Sequence, residues 1–241
     1  MPTNNTKVNR TTLSNVNVLF EDNHLLIINK RAGDLVQGDQ TGDACLLEIL
    51  KEYLKIKYNK PGNVFLGLVH RLDRPTSGVV VYAKTSKALT RMSELFKNRE
   101  TQKTYWAVVK NLPPKRTDEL IHFLKKNPKT NTAKVYVKEV PESKKAHLQY
   151  ELIAKSDQYQ LLEIKLFTGR HHQIRAQLAH IGCPIKGDLK YGFDRSNPDG
   201  GIHLHARKLS FVHPVTQASL EITAPCPTAD SLWQHFEKTV S

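Results

Sequence analysis

His70-Arg71-Leu72-Asp73-Arg74-Pro75-Thr76-Ser77-Gly78 sets one carboxylate among two arginines, a histidine and two hydroxyls. A carboxylate in such polar company can serve as a nucleophile or a general base. The ring of Pro75 keeps Arg74 out of helical geometry, which places Asp73 on a fixed turn. The same spacing also fits an Asx-type turn in which Asp73 only accepts backbone hydrogen bonds, and Arg71 and Arg74 are compatible with either role. A second cluster is Thr168-Gly169-Arg170-His171-His172-Gln173-Ile174-Arg175. Here a strand ends, turns through Gly169 and opens a helix, so exposed backbone N–H groups beside Arg170 suit a phosphate. Arg175, at the margin of that helix's buried face, can pair with a carboxylate elsewhere in the fold. It also fits an ordinary surface arginine whose stem covers core. His203 and His205 share one face of a strand, but two histidines without a third ligand do not make a metal site, and no metal is expected. Glycoside cleavage needs a second positioned carboxylate, and no other Asp or Glu stands in a comparable cluster.

The elements that hold these clusters are short strands mixed with a few helices. Val16–Phe20 and Leu25–Asn29 predict a first hairpin across a turn at Glu21-Asp22-Asn23-His24. Asp43 is placed to cap a helix with Leu47, Leu50 and Leu54 on one face, and Ser86 to cap another carrying Leu89, Met92 and Phe96. Between them Val79–Tyr82 is apolar throughout, as in a strand buried on both sides. Thr104–Val109 predicts a strand that sends Tyr105 and Trp106 to opposite faces. Leu120–Leu124 and Ala133–Val137 predict a hairpin whose tip carries Lys125, Lys126 and Lys129. Two half-buried strands follow, marked by Leu148, Tyr150 and Leu152 and by Leu162, Ile164 and Leu166. Ile174, Leu178 and Ile181 then mark a helix closed by Gly182. A strand at Leu220–Thr223 precedes a last helix with Leu232 and Phe236 inward. This irregular order predicts an α+β fold, with a mixed, mainly antiparallel central sheet and flanking helices and loops. One catalytic domain is expected over residues 16–241, after a polar tail over residues 1–15.

The 241 residues hold 36 Lys and Arg against 23 Asp and Glu, a formal net charge of +13. That balance favours a polyanionic partner, because each phosphate neutralised releases a condensed counterion. Charge alone does not separate RNA from DNA or an acidic membrane. No apolar run approaches the roughly 18 residues of a membrane helix, and the N-terminal residues lack the apolar stretch of a secretion signal. Cys45, Cys183 and Cys226 are odd in number and far apart, which predicts reduced, buried thiols in a cytoplasmic protein. No glycine-rich phosphate loop opens any helix, so neither a Rossmann nor a P-loop nucleotide site is expected.

Taken together, the two clusters resemble motifs of the RluA family of pseudouridine synthases. His70-Arg71-Leu72-Asp73 with Thr76-Ser77-Gly78 is similar to the family's central motif. Thr168-Gly169-Arg170 with His172-Gln173-Ile174-Arg175 is similar to its third, continued by Gly182, Pro184-Ile185, Gly187-Asp188 and Tyr191-Gly192. Glu21-Asp22 and Lys30-x-x-Gly33 resemble its opening, Lys103-x-Tyr105 its K-x-Y strand, and Leu204-His205 with His213-Pro214 its close. Arg31 stands where the family usually has Pro. His171, Ala176-Gln177 and Cys183 also depart from its pattern. The resemblance implies the pseudouridine synthase catalytic fold. The S4-type RNA-binding domain that many relatives carry is not expected, because only about fifteen polar residues precede the first strand. It implies an isomerase that turns specific uridines of ribosomal RNA or tRNA into pseudouridine and needs no cofactor; the chain is expected to be a monomer. Asp73 is implied as the essential carboxylate, Arg175 as its salt-bridge partner, and Tyr105 as the ring against the uracil and the base for its C5 proton. Arg71 is implied to fill the space left by the flipped uridine, and Lys103, Arg170, His172 and Gln173 to contact the RNA.

Overall fold

Runs of Leu, Ile and Val with period two, separated by helices of period 3.6, fold as anticipated into sheets covered by helices. The computed structural model describes residues 10–38 and 42–240. Its elements begin with β1 (Val18–Glu21), β2 (Leu25–Lys30), α1 (Leu46–Lys57), β3 (Gly67–Leu68), β4 (Ser77–Ala83) and α2 (Ser86–Asn98). They continue with β5 (Gln102–Val109), β6 (Thr117–Asn127), β7 (Thr132–Tyr136), β8 (Lys144–Lys155), β9 (Gln160–Leu166) and α3 (Gln173–His180). The last are β10 (Leu204–Val212), β11 (Ser219–Thr223) and α4 (Ser231–Val240). Contacts group them into two compact units. The first holds the described residues up to Thr101, with Pro198–Gly200 and Lys208–Pro225. The second holds Gln102–Asn197, Gly201–Arg207 and the described residues from Cys226 onward.

In the first unit β1, β2 and β4 pair antiparallel in that order, and β3 pairs the end of β4. β11 pairs Lys208–Val212 of β10, also antiparallel. Leu25, Ile27, Val79, Val81, Leu209 and Phe211, at alternate positions of their strands, form one core cluster with Ala88 and Met92 of α2. The residues between them on β2 and β4, including Leu26, Ile28, Val80 and Tyr82, are buried too. β4 therefore has two dry faces, which is why its sequence does not alternate. Two capping expectations are corrected. Thr85, not Ser86, accepts the Ala88 N–H (3.2 Å) at the start of α2. Asp43 stands before the Cys45 N-cap of α1 and pairs with Arg74 at 2.6 Å, while Leu46 rather than Leu47 turns inward with Leu50 and Leu54. Of the tail expected over residues 1–15, residues 1–9 lie outside the described residues. Thr11 is buried and binds Asp34 through its N–H (3.0 Å) and its hydroxyl (2.6 Å). Asp22 closes the first hairpin by accepting the N–H groups of His24 and Leu25, both at 2.7 Å, and meets His213 Nε2 at 3.0 Å.

In the second unit the strand order is β5-β9-β8-β6-β7, with every pairing antiparallel. Trp106 and Val108 of β5 pack against Trp233 and Phe236 of α4, and Leu232 packs half-buried against the same cluster, so Trp233 joins the two residues expected to face inward. Ala176 of α3 packs with Leu124, Ala133 and Ala146 of β6, β7 and β8. The hairpin tip is shorter than expected: Lys125 and Lys126 pair in register with Lys134 and Ala133, and only Pro128–Asn131 turn. His203 and His205 both lie against the Trp233 ring. His203 is buried and bonded to Asn197 and Asp230, which makes it part of the framework. Among the described residues the antiparallel sheets and four α-helices make the fold α+β, as the sequence pattern predicts. Among the described residues no helix is long and apolar enough to cross a membrane.

Candidate active site

Asp73 sits on the loop between β3 and β4, in a turn closed by the Thr76 N–H on the Asp73 carbonyl (3.0 Å). Beneath that turn lies Lys30, the last residue of β2 and fully buried. Its register partner is Gly78, so the strand pairing itself delivers the ammonium to the turn. The ammonium donates to the carbonyls of Thr76 (2.6 Å), Arg74 (3.0 Å) and Arg31 (3.0 Å), which matches its three N–H donors to three acceptors. Gly33 adds an N–H to the Arg74 carbonyl at 2.8 Å, at a backbone φ of 90° that favours glycine. Arg74 answers with its Nε on the Gly33 carbonyl (3.2 Å) and its Nη2 on Asp43 (2.6 Å). The backbone from Asp73 to Thr76 is thus fastened, while Asp73 itself stays half-buried. Burial pushes the Lys30 ammonium down to about 7, against the upward pull of the Asp34 and Asp73 carboxylates. His70 Nε2 accepts the Val81 N–H (3.2 Å), and the His70 ring stacks on Phe96. Arg71 is exposed. The departure at Arg31 is accommodated by a bond from its Nη2 to the Asn15 carbonyl at 3.3 Å.

The other site residues belong to the second unit. Tyr105 lies on β5 opposite Ile164 of β9 and is 9% exposed. The pleat sends it to the face opposite Trp106, as predicted from the period of two. Lys103 is half-buried two residues earlier on the same strand. Gln173, at the first position of α3, is buried, and its amide ties the loop together. Its Oε1 accepts the Thr168 hydroxyl (2.8 Å) and the Arg170 N–H (3.0 Å), and its Nε2 donates to the His147 carbonyl (3.1 Å). Arg170 is half-buried, with Nε donating to the Lys145 carbonyl at 2.9 Å. His172 caps α3 in left-handed geometry, with Nδ1 2.9 Å from the Tyr191 hydroxyl and its ring stacked on His171. The helix start is less open than the sequence implies, since His172 and Gln173 are buried and the Gln173 N–H bonds the Arg170 carbonyl (3.0 Å).

Arg175 is buried rather than marginal, because α3 turns every residue from Gln173 to Leu178 inward. Its Nε and Nη2 grip the two oxygens of Asp188 at 2.6 and 2.8 Å, and its guanidinium lies 5.2 Å from the centre of the Tyr191 ring. Asp188 is itself 1% exposed. A bidentate pair of this kind fixes the plane of the guanidinium. Sequence reasoning missed Asp188 as a partner and Lys30 as a brace. Both were visible as motif residues, but nothing in the spacing shows which carboxylate a buried arginine meets, or that a lysine ending a strand is dry.

The profile of the family described as RNA pseudouridylate synthase matches residues 24–180. The ribosomal large subunit pseudouridine synthase C of Vibrio vulnificus is 33% identical over 226 residues, which cover 91% of this chain and 69% of that protein. The protein of the same name from Yersinia pestis is 35% identical over 86% of this chain and 65% of its own length. The chain thus spans about two thirds of the length of these relatives. Among solved structures, human RNA pseudouridylate synthase domain containing 4 matches with a TM-score of 0.75 at 25% identity, covering 93% of this chain and 92% of that one. Human RNA pseudouridylate synthase domain containing 1 shares the fold, with a TM-score of 0.73 at 21% identity over 95% of this chain and 96% of the other.

Proposed function

The chain belongs to the RNA pseudouridylate synthase family, and on that premise we propose that it converts uridine to pseudouridine in large-subunit ribosomal RNA, with Asp73 as the carboxylate on which the reaction depends. The reaction breaks the bond from uracil N1 to C1′ of the sugar, turns the base, and joins C5 to C1′. The C5 proton leaves and N1 gains one, so the product is an isomer and no electrons are exchanged with another molecule. The observation that carries the assignment is the brace of Lys30, Gly33 and Arg74 around the Asp73 turn, which fixes the backbone and leaves the carboxylate half-buried. A carboxylate held in place can attack as a nucleophile or remove a proton without first ordering its own loop.

The remaining roles follow the family pattern, residue by residue. Arg175 steadies the reacting carboxylate. Asp188 takes two of its five N–H donors and sets the plane of the rest. Tyr105 lies against the uracil and takes the C5 proton; a phenol of ordinary pKa about 10 is a weak base at neutral pH, so this step needs a local acceptor for its own proton. Arg71 fills the space the flipped uridine leaves, at a flipping cost of a few kcal/mol. Lys103, Arg170 and His172 contact the RNA, and Gln173 serves it by holding the 168–170 loop in shape. The relatives' names favour large-subunit ribosomal RNA over tRNA. The cytoplasm is the compartment that such a substrate implies.

Tritium release from RNA labelled at uridine C5 tests the role of Asp73. Asp73→Asn keeps the shape and removes the charge, so RNA binding and the thermal transition should be unchanged while release falls more than about a hundredfold. Release within tenfold of wild type would return Asp73 to an ordinary turn residue.

A further inference from the structure

At the far end of β4 from the Asp73 turn, the C-terminus of α1 forms a surface that the reaction does not use. β4 starts beside that turn at Ser77 and ends at Ala83, where Gly67 of β3 pairs with it. Seven residues of strand cover about 20 Å. Every residue from Lys55 to Lys60 is exposed. Ile56 is 63% exposed, Tyr58 47%, and Phe65, on the way into β3, 49%. No acidic residue occurs between Glu52 and Asp73.

This surface is firm. The Tyr58 hydroxyl donates to Glu21 at 2.7 Å, and the same carboxylate accepts from Lys57 (2.7 Å) and Lys84 (2.9 Å). Three ammonium groups surround the Tyr58 ring: Lys84 at 4.8 Å from its centre, Lys57 at 5.5 Å and Lys60 at 5.9 Å. The Lys60 N–H bonds the Lys55 carbonyl at 3.0 Å, which closes the chain back on the helix end. Lysines at a helix C-terminus complement the helix dipole. That accounts for Lys55 and Lys57, but not for the exposure of Ile56, Tyr58 and Phe65. Ammonium groups interleaved with exposed aromatic rings are the chemistry that grips a nucleic-acid strand, the first through phosphates and the second through bases.

We propose that Lys55, Lys57, Tyr58, Lys60 and Phe65 form a second RNA-contacting surface, which holds an unpaired segment of the substrate outside the stretch that enters the Asp73 site. The inference rests on the reading of the chain as an RNA isomerase and extends it to a separate surface. An anionic membrane fits less well, because α1 turns Leu46, Leu50 and Leu54 into its own unit and leaves a single exposed aliphatic residue, Ile56, instead of an apolar face to insert.

The test compares two RNAs: a large-subunit ribosomal RNA transcript, and a short hairpin cut from it around a modified uridine. The variant is Lys55→Ala with Lys60→Ala and Phe65→Ser. Its control is Lys87→Ala with Lys97→Ala, which removes the same charge from exposed positions of α2. On the transcript, the first variant should raise KM about tenfold at unchanged kcat, and flatten the slope of log K against log salt by one to two. On the hairpin it should behave as wild type, and the control should match wild type on both. Equal weakening on both RNAs, an equal effect of the control, or an unchanged KM and salt slope on the transcript would each overturn the proposal. So would unchanged RNA binding with lost binding to phosphatidylserine vesicles, which would assign the surface to a membrane. Binding on filters is read separately from tritium release. A wild-type protein that binds the transcript without isomerising it would therefore contradict the functional reading and leave this comparison decisive.

Discussion

The Asp73 turn is placed largely by one side chain, since the Lys30 ammonium donates to the main-chain carbonyls of Arg31, Arg74 and Thr76. The sequence made Asp73 conspicuous through its company of arginines and hydroxyls, yet gave Lys30 no more weight than any lysine at a strand end. Burial separates the two, and burial at a strand end depends on what the rest of the chain lays over it. The dry site has a consequence for pH. The Lys30 ammonium is pushed down to about 7 when folded, from an ordinary value of 10.5. Between those values the unfolded chain binds more protons than the folded one, so this group adds stability as pH rises from 7 toward 10.5. Below pH 7 it is charged in both states, and the cost of burying that charge is fully present. Urea midpoints of wild type should therefore rise relative to those of Lys30→Met between pH 7 and about pH 9.5. A constant difference between the two proteins would show that Lys30 keeps its proton throughout.

At the scale of elements, periodicity located the strands and the long helices, whereas caps and hairpin tips moved. Asp43 and Ser86 are good capping residues, but the first meets Arg74 and the second has Thr85 just before it, already placed on the Ala88 N–H. Lys125 looked like a loop residue because its neighbours are polar, but it pairs in the β6–β7 ladder and meets Glu142 at 2.7 Å. Local composition does not show how far a ladder continues into polar sequence. The end of α1 is tied to β1 through Glu21. Burial opposes ionisation of that carboxyl, but hydrogen bonds from Lys57, Lys84 and Tyr58 prevail and hold it down to about 2. Its contribution to stability is therefore present above the ordinary value of 4.5 and disappears as pH falls from there toward 2. Glu21→Gln should lower the thermal midpoint at pH 7 and bring it closer to that of wild type at about pH 3. The same deficit at both pH values would mean that the ionised carboxylate adds nothing beyond the shape of the side chain.

Across the whole molecule, the α+β class and the antiparallel pairing were legible because irregular element order excludes an alternating βαβα fold. The family was legible because several short motifs occur in one order, and the comparisons agree with it. The pairing of Arg175 with Asp188 was less accessible: the chain brings Asp188 to it from the loop after α3, and only the folded second unit shows that pair. The net charge of +13 fits an RNA substrate without identifying it. On the proposed reading, this charge and the Asp73 turn serve one reaction on ribosomal RNA. The direct test is to map pseudouridines in an unmodified large-subunit ribosomal RNA transcript, and in bulk unmodified tRNA, after incubation with purified wild type or Asp73→Asn. Wild type should introduce pseudouridine at a small set of positions in the ribosomal transcript, and Asp73→Asn should introduce none. Modification of tRNA alone, or the same positions modified by both proteins, would contradict the account.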